Sequence, residues 1–118
     1  MSAPESPAET VRRGAEKMRG LAQAALRDVA ENDYWNGCCP AAGNDDAYRH
    51  GVRDGLGGPA GELAAAFTPD VALLIADQWD EVADDMDNCQ AYEVERIPAW
   101  AKTHAAAVKF LGEEVPHA

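Results

Sequence analysis

The chain has 118 residues and carries 21 Asp+Glu against 10 Lys+Arg, a formal charge of −11. This length fits one domain with a modest core, and a 47% hydrophobic share led by Ala excludes a disordered chain and favours helix. The acidic balance argues against direct binding of nucleic acid, and no apolar run approaches the roughly 20 residues that a membrane span needs.

Residues 1–8 are rich in Pro, Ser and Glu and read as a solvated, disordered tail without a targeting signal. Three cysteines, Cys38, Cys39 and Cys89, form an odd set that points to reduced thiols, so the expected location is the cytoplasm. From about Glu9 to Glu31, Val11, Ala15, Met18, Ala22, Ala25 and Val29 recur at helical spacing, with Leu21 and Leu26 widening the stripe. Thr10 is the expected N-cap and Asn32 the expected stop. Gly14 and Gly20 each weaken this helix by about 1 kcal/mol relative to Ala, so packing must hold it. The small residues of the stripe suit a core face; an intermolecular coiled coil is the alternative, which leaves a homo-oligomer open.

Between Asp33 and Ala60 the periodicity dissolves among Pro40, Pro59 and the glycines at 37, 43, 51, 55, 57 and 58. A short helix or hairpin is expected near Ala47–Asp54, where Tyr48, His50 and Val52 alternate. A helical turn over Gly61–Phe67 then leads to Thr68-Pro69, an N-cap with Pro at the first helical position. The helix Pro69–Asp87 places Val71, Leu74, Ile75, Trp79, Val82 and Met86 on one stripe. Ile97-Pro98 opens the last helix, with Trp100, Ala101, His104, Val108 and Leu111 on one face and Gly112 at its end. The expected fold is mainly α, a three-helix-bundle-like single domain over residues 9–115. A long irregular insert, residues 33–60, separates its first and second long helices.

Glu16-Lys17-Met18-Arg19 within the Ala-rich first helix, and Phe67-Thr68-Pro69-Asp70-Val71-Ala72-Leu73-Leu74-Ile75-Ala76-Asp77, carry a resemblance. They are similar to a group of small uncharacterised actinobacterial and actinophage proteins, the second stretch matching that group's D-P-A-V-A-L-A-V-A-D-W-L-D helix. The segment from Pro98-Ala99-Trp100 to Phe110-Leu111-Gly112 resembles its closing helix. The likeness covers about two-thirds of the chain and skips the middle, where Asn32 to Pro40 replaces the group's T-P-G-P-W turn. It implies a helical fold and a phage-related or actinobacterial source, and it brings no activity and no catalytic residues.

The strongest chemical signal is acidic. Between Asp77 and Glu95 there are eight carboxylates and no Lys or Arg, and Asp77, Asp80, Glu81, Asp84, Asp85 and Asp87 fall along successive turns of one helix. Like charges at these spacings repel by a few tenths of a kcal/mol per pair, so something must compensate or screen them. The face is solvated, pairs with Arg12, Arg13, Lys17, Arg19 and Arg27 of the first helix, or meets a partner. The partner reading is an accessory protein without enzymatic activity that binds a protein with a basic surface. Its alternative is a DNA mimic that blocks a nucleic-acid-binding protein or nuclease. Tyr34, Trp35 and Tyr48 offer the next candidate contact surface.

An all-helical metal-dependent nucleotide hydrolase is the enzymatic alternative. It needs two carboxylate-bearing helices around Mg²⁺, and only one helix here is rich in carboxylates. The basic residues Arg49 and Arg53 are the nearest thing to a phosphate clamp. Cys38, Cys39, Cys89, His50, His104 and His117 lack metal-site spacing, and His50 and Asp54 make a lone pair one turn apart, so no metal or other cofactor is expected. The Gly-rich 51–61 stretch lacks the Gly-Lys-Ser/Thr ending of a phosphate loop.

Overall fold

The computed structural model describes residues 4–32, 35, 44–88 and 96–113. Tyr34, Cys38, Cys39, Cys89 and His117 lie outside them, as does most of the expected insert before Asn44. Among the described residues the structure is mainly α, with helices α1 (Pro7–Glu31), α2 (Asn44–Leu56), α3 (Gly58–Ala66), α4 (Pro69–Asp87) and α5 (Pro98–Phe110) and no strand.

The first helix begins two residues before the expected Glu9, and its cap is Ser6 instead of Thr10. Ser6 Oγ accepts from the Glu9 amide at 3.1 Å, and Pro7 takes the first helical position, where its missing N–H costs nothing. Ala8 and Thr10 are both buried, so the tail expected over residues 1–8 is already core-forming at its end. Thr10 sits one turn inside, donating its hydroxyl to Glu5 Oε1 at 2.7 Å. The buried residues Ala8, Val11, Ala15, Met18, Ala22 and Val29 reproduce the predicted stripe, with Ala25 half-buried in the gap. Leu21 is exposed instead of widening it.

The connection expected to be irregular over residues 33–60 is helical from Asn44 to Leu56 and again from Gly58. Of the two forms considered near Ala47–Asp54, the helix is the one adopted, and it runs longer. Ala47 is buried and Tyr48, His50, Gly51 and Val52 are half-buried, a set that takes in the alternating positions together with their helical neighbours. Gly57 and Gly58 reverse the chain between α2 and α3 with φ of +72° and +62°, a region that residues with a Cβ rarely adopt. Thr68 caps α4 as predicted: fully buried, it accepts from the Val71 amide through Oγ1 at 3.3 Å.

On α4 the inner stripe is rotated from the one predicted. Ala72, Ala76, Trp79, Ala83 and Met86 are buried, while Val71, Ile75 and Val82 are half-buried and Leu74 is 70% exposed. Both sets have helical spacing; the alanine set lets neighbouring backbones approach closely. Helix α5 ends in a Schellman motif, with the Glu113 amide bonded to Val108 O and Gly112 at φ +78°.

The chain forms two compact units, one of residues 1–18 and 75–118, the other of residues 19–74. In the first unit α1, α4 and α5 meet at Gly14. A Cβ there would lie 2.9 Å from Trp79 Cζ3 and 3.1 Å from Ala107 Cβ. Trp79 in turn stands edge-on to Phe110, ring centres 6.1 Å apart. In the second unit Trp35 stacks on Tyr48 at 5.7 Å and donates its indole N–H to Asp28 Oδ2 at 2.7 Å. Among the described residues the exposed large apolar side chains, Leu21, Leu56, Leu63, Phe67 and Leu74, belong to this second unit.

Candidate functional site

The acidic residues of α4 lie on the side away from Trp79 and Met86, because the helix that buries positions 76, 79, 83 and 86 turns 77, 81, 84 and 85 outward. Asp77, Glu81, Asp84, Asp85 and Asp87 are exposed and Asp80 is half-buried. Within the first unit the structure joins two of them through a single cation. The Arg12 guanidinium of α1 donates to Asp84 Oδ1 at 2.8 Å and to Asp87 Oδ2. Hydrogen bonds to Asp87 and then Asp84 push the Arg12 pKa further above its ordinary value. Exposed pairs of this kind contribute little to stability by themselves, so Arg12 acts chiefly by cancelling repulsion between carboxylates one turn apart.

Asp77 and Asp80 each make a polar or electrostatic interaction as well. Glu81 and Asp85 differ: they stand one turn apart, exposed, with no ion pair among the described residues. The face is thus partly compensated at its far end and bare in the middle. Of the other cations of α1, Arg13 grips both Glu5 oxygens, at 2.6 and 2.8 Å, and also Glu113 at 2.8 Å. Lys17 donates to Phe110 O at 3.2 Å and lies 5.3 Å from the Phe110 ring centre. Of the cations expected to pair with the acidic helix, Arg12 does so, while Arg13 and Lys17 hold other groups and Arg19 makes an interaction of its own. The Arg13 fork, with help from the Thr10 hydroxyl, holds the Glu5 carboxyl down at about 2.

Trp35, the remaining described candidate, is in the second unit. One of its faces is stacked and its N–H is bonded, so a large part of that side chain serves the fold. Among the described residues no three His, Cys, Asp or Glu side chains gather in a way that could hold a metal ion. No single helix among them is long and apolar enough to cross a membrane.

Sequence reasoning missed the Glu5–Arg13–Glu113 cluster, because its members are separated by up to a hundred residues and carry no local pattern. It also missed the role of Gly14, which looks like a helix defect until Trp79 is placed against it. No protein-family model, curated protein or solved structure matches the chain.

Proposed function

We propose that the protein is a small, acidic, non-enzymatic accessory protein that binds a partner protein bearing a basic surface through the outer face of α4. The observation that carries this reading is the pair Glu81 and Asp85, exposed, one turn apart and without an ion pair among the described residues. A basic side chain arriving there relieves repulsion that the fold leaves uncompensated, and such contacts act mainly by speeding association. The scaffold in this proposal is a bundle of three long helices, a reading supported by the meeting of α1, α4 and α5 at Gly14 in the first unit. The likeness to actinobacterial and phage-related proteins and a cytoplasmic location belong to the same proposal.

Affinity capture at low salt, repeated with Glu81→Gln/Asp85→Asn, tests it. A basic partner should be retained by the wild type and lost from the folded variant. Retention of every partner by the variant refutes the reading. Displacement of the captured partner by duplex DNA would favour the mimic over a protein-specific contact.

A further inference from the structure

The second unit holds a basic feature in a strongly acidic chain. Arg49 and Arg53 stand one turn apart on α2 and open into a single cleft of about 300 Å³. Glu62, Ala65 and Ala66 of α3 form its other wall. Arg53 Nε faces Glu62 Oε1 at 3.5 Å, too long for a well-made hydrogen bond. Arg49 has no ion pair among the described residues. Among the described residues the cleft therefore has two arginines against one carboxylate, and like charges at this spacing repel.

Its walls are braced. The Gly57 amide bonds to Arg53 O at 2.9 Å and the Gly61 amide to Gly57 O at 3.0 Å. A Cβ on Gly61 would come within 3.0 Å of Arg53 O, so α3 lies against the end of α2 as closely as a bare backbone allows. Arg53 thus leaves a braced helix end and Arg49 the turn before it, and the small side chains of Ala65 and Ala66 leave the space before them open.

We propose that this cleft binds a small phosphate monoester, with its phosphate between Arg49 and Arg53 and its short organic part against Ala65 and Ala66. Guanidinium forks match the oxygen spacing of phosphate, and two of them match a dianion better than a carboxylate. The volume stands at the lower end of small-molecule sites and exceeds what a bare phosphate fills. Glu62 is then a competitor that releases Arg53 when the ligand arrives. This inference is independent of the acidic face of α4.

Calorimetric titration of the full chain with inorganic phosphate, glycerol phosphate and acetate at constant ionic strength tests it. Both phosphates should give saturable binding, glycerol phosphate the tighter, with acetate weaker by about tenfold or more. Arg49→Gln and Arg53→Gln should each weaken glycerol phosphate by about tenfold or more, whereas Glu62→Gln should tighten it. All three positions are exposed, so the variants should keep the wild-type helical spectrum and unfolding midpoint. On the wild-type chain, amide resonance shifts caused by phosphate should be confined to residues near 49–66. Absence of saturable binding, equal affinity for acetate, unaltered binding by the arginine variants, weakening by Glu62→Gln, or shifts centred elsewhere would each overturn the proposal.

Discussion

Replacing Gly14 by Ala sets two effects of similar size against each other. In a helix interior Ala is better than Gly by about 1 kcal/mol, so propensity alone favours the change. The added methyl, however, would arrive 2.9 Å from Trp79 Cζ3, 3.3 Å from Trp79 Cε3 and 3.1 Å from Ala107 Cβ. Trp79 is only 8% exposed and is held edge-on by Phe110, so its ring cannot swing aside without disturbing a second contact. Overpacking of this kind costs about 1–3 kcal/mol, so packing wins and the variant should lose up to about 2 kcal/mol. Gly20→Ala is the control. It lies on the same helix with nothing within 4 Å of the new Cβ, and should gain about 1 kcal/mol. At roughly 4 °C per kcal/mol, the two midpoints should differ by about 4–12 °C in thermal unfolding followed by circular dichroism. Trp79→Phe removes the ring atoms that clash, so Gly14→Ala should cost less in that background. A Gly14→Ala chain stabilised as much as Gly20→Ala would refute the close crossing of the three helices.

Three further outcomes are expected. Trp79→Ala should destabilise by about 3–5 kcal/mol in urea unfolding, whereas Leu74→Ala, an exposed position, should change stability by less than about 0.5 kcal/mol; a loss of about 2 kcal/mol or more at Leu74 would restore the stripe predicted from sequence. Glu5 has a folded pKa of about 2 against an ordinary 4.5. Because the folded value is the lower, its stabilisation is complete above pH 4.5 and fades as pH falls toward 2, so Glu5→Gln should flatten the acid limb of the stability–pH curve. Arg12→Gln uncovers Asp84 and Asp87; its stability loss should shrink as salt is raised, and a loss insensitive to salt would contradict the exposed-pair geometry.

Helix type and the larger boundaries were legible because they depend on local chemistry. Thr68-Pro69 announces the start of α4, and Gly112 the end of α5, through hydrogen bonds made within a few residues. The stripe on α1 could be read because only one set of its apolar residues keeps helical spacing. On α4 two such sets share Trp79 and Met86, and larger side chains drew the stripe toward Leu74, which is exposed. The choice fell to Ala72, Ala76 and Ala83 because nine of the fifteen buried hydrophobic residues among those described are alanines, a core that depends on close backbone approach. Glycine was misjudged in the other direction: Gly51 and Gly55 look like breaks in a single sequence, yet both lie inside α2. At the acidic face the sequence supplied the carboxylates and the candidate cations. That Arg12 bridges Asp84 and Asp87 while Arg13 turns to Glu5 and Glu113 depends on long-range placement that spacing alone does not encode.

The discontinuity of the first unit has a kinetic consequence during synthesis. Residues 19–74 form a compact unit from one unbroken stretch, so all its parts are available once that stretch has left the ribosome. The other unit needs Gly14 from near its start to meet Trp79 and then Ala107. At about 5–20 residues per second, roughly 5–20 s separate the emergence of Gly14 from that of Ala107. During that interval the apolar stripe at the beginning of α1 has no native cover from α5. Ser6, Thr10 and Glu5, which tie that end of the helix together through neighbours no more than five residues away, can form at once. The hydrogen bonds of that turn are thus available before the core that buries it, while α5 is the last of the three helices at Gly14 to emerge, so the lasting stability of α1 waits on its arrival.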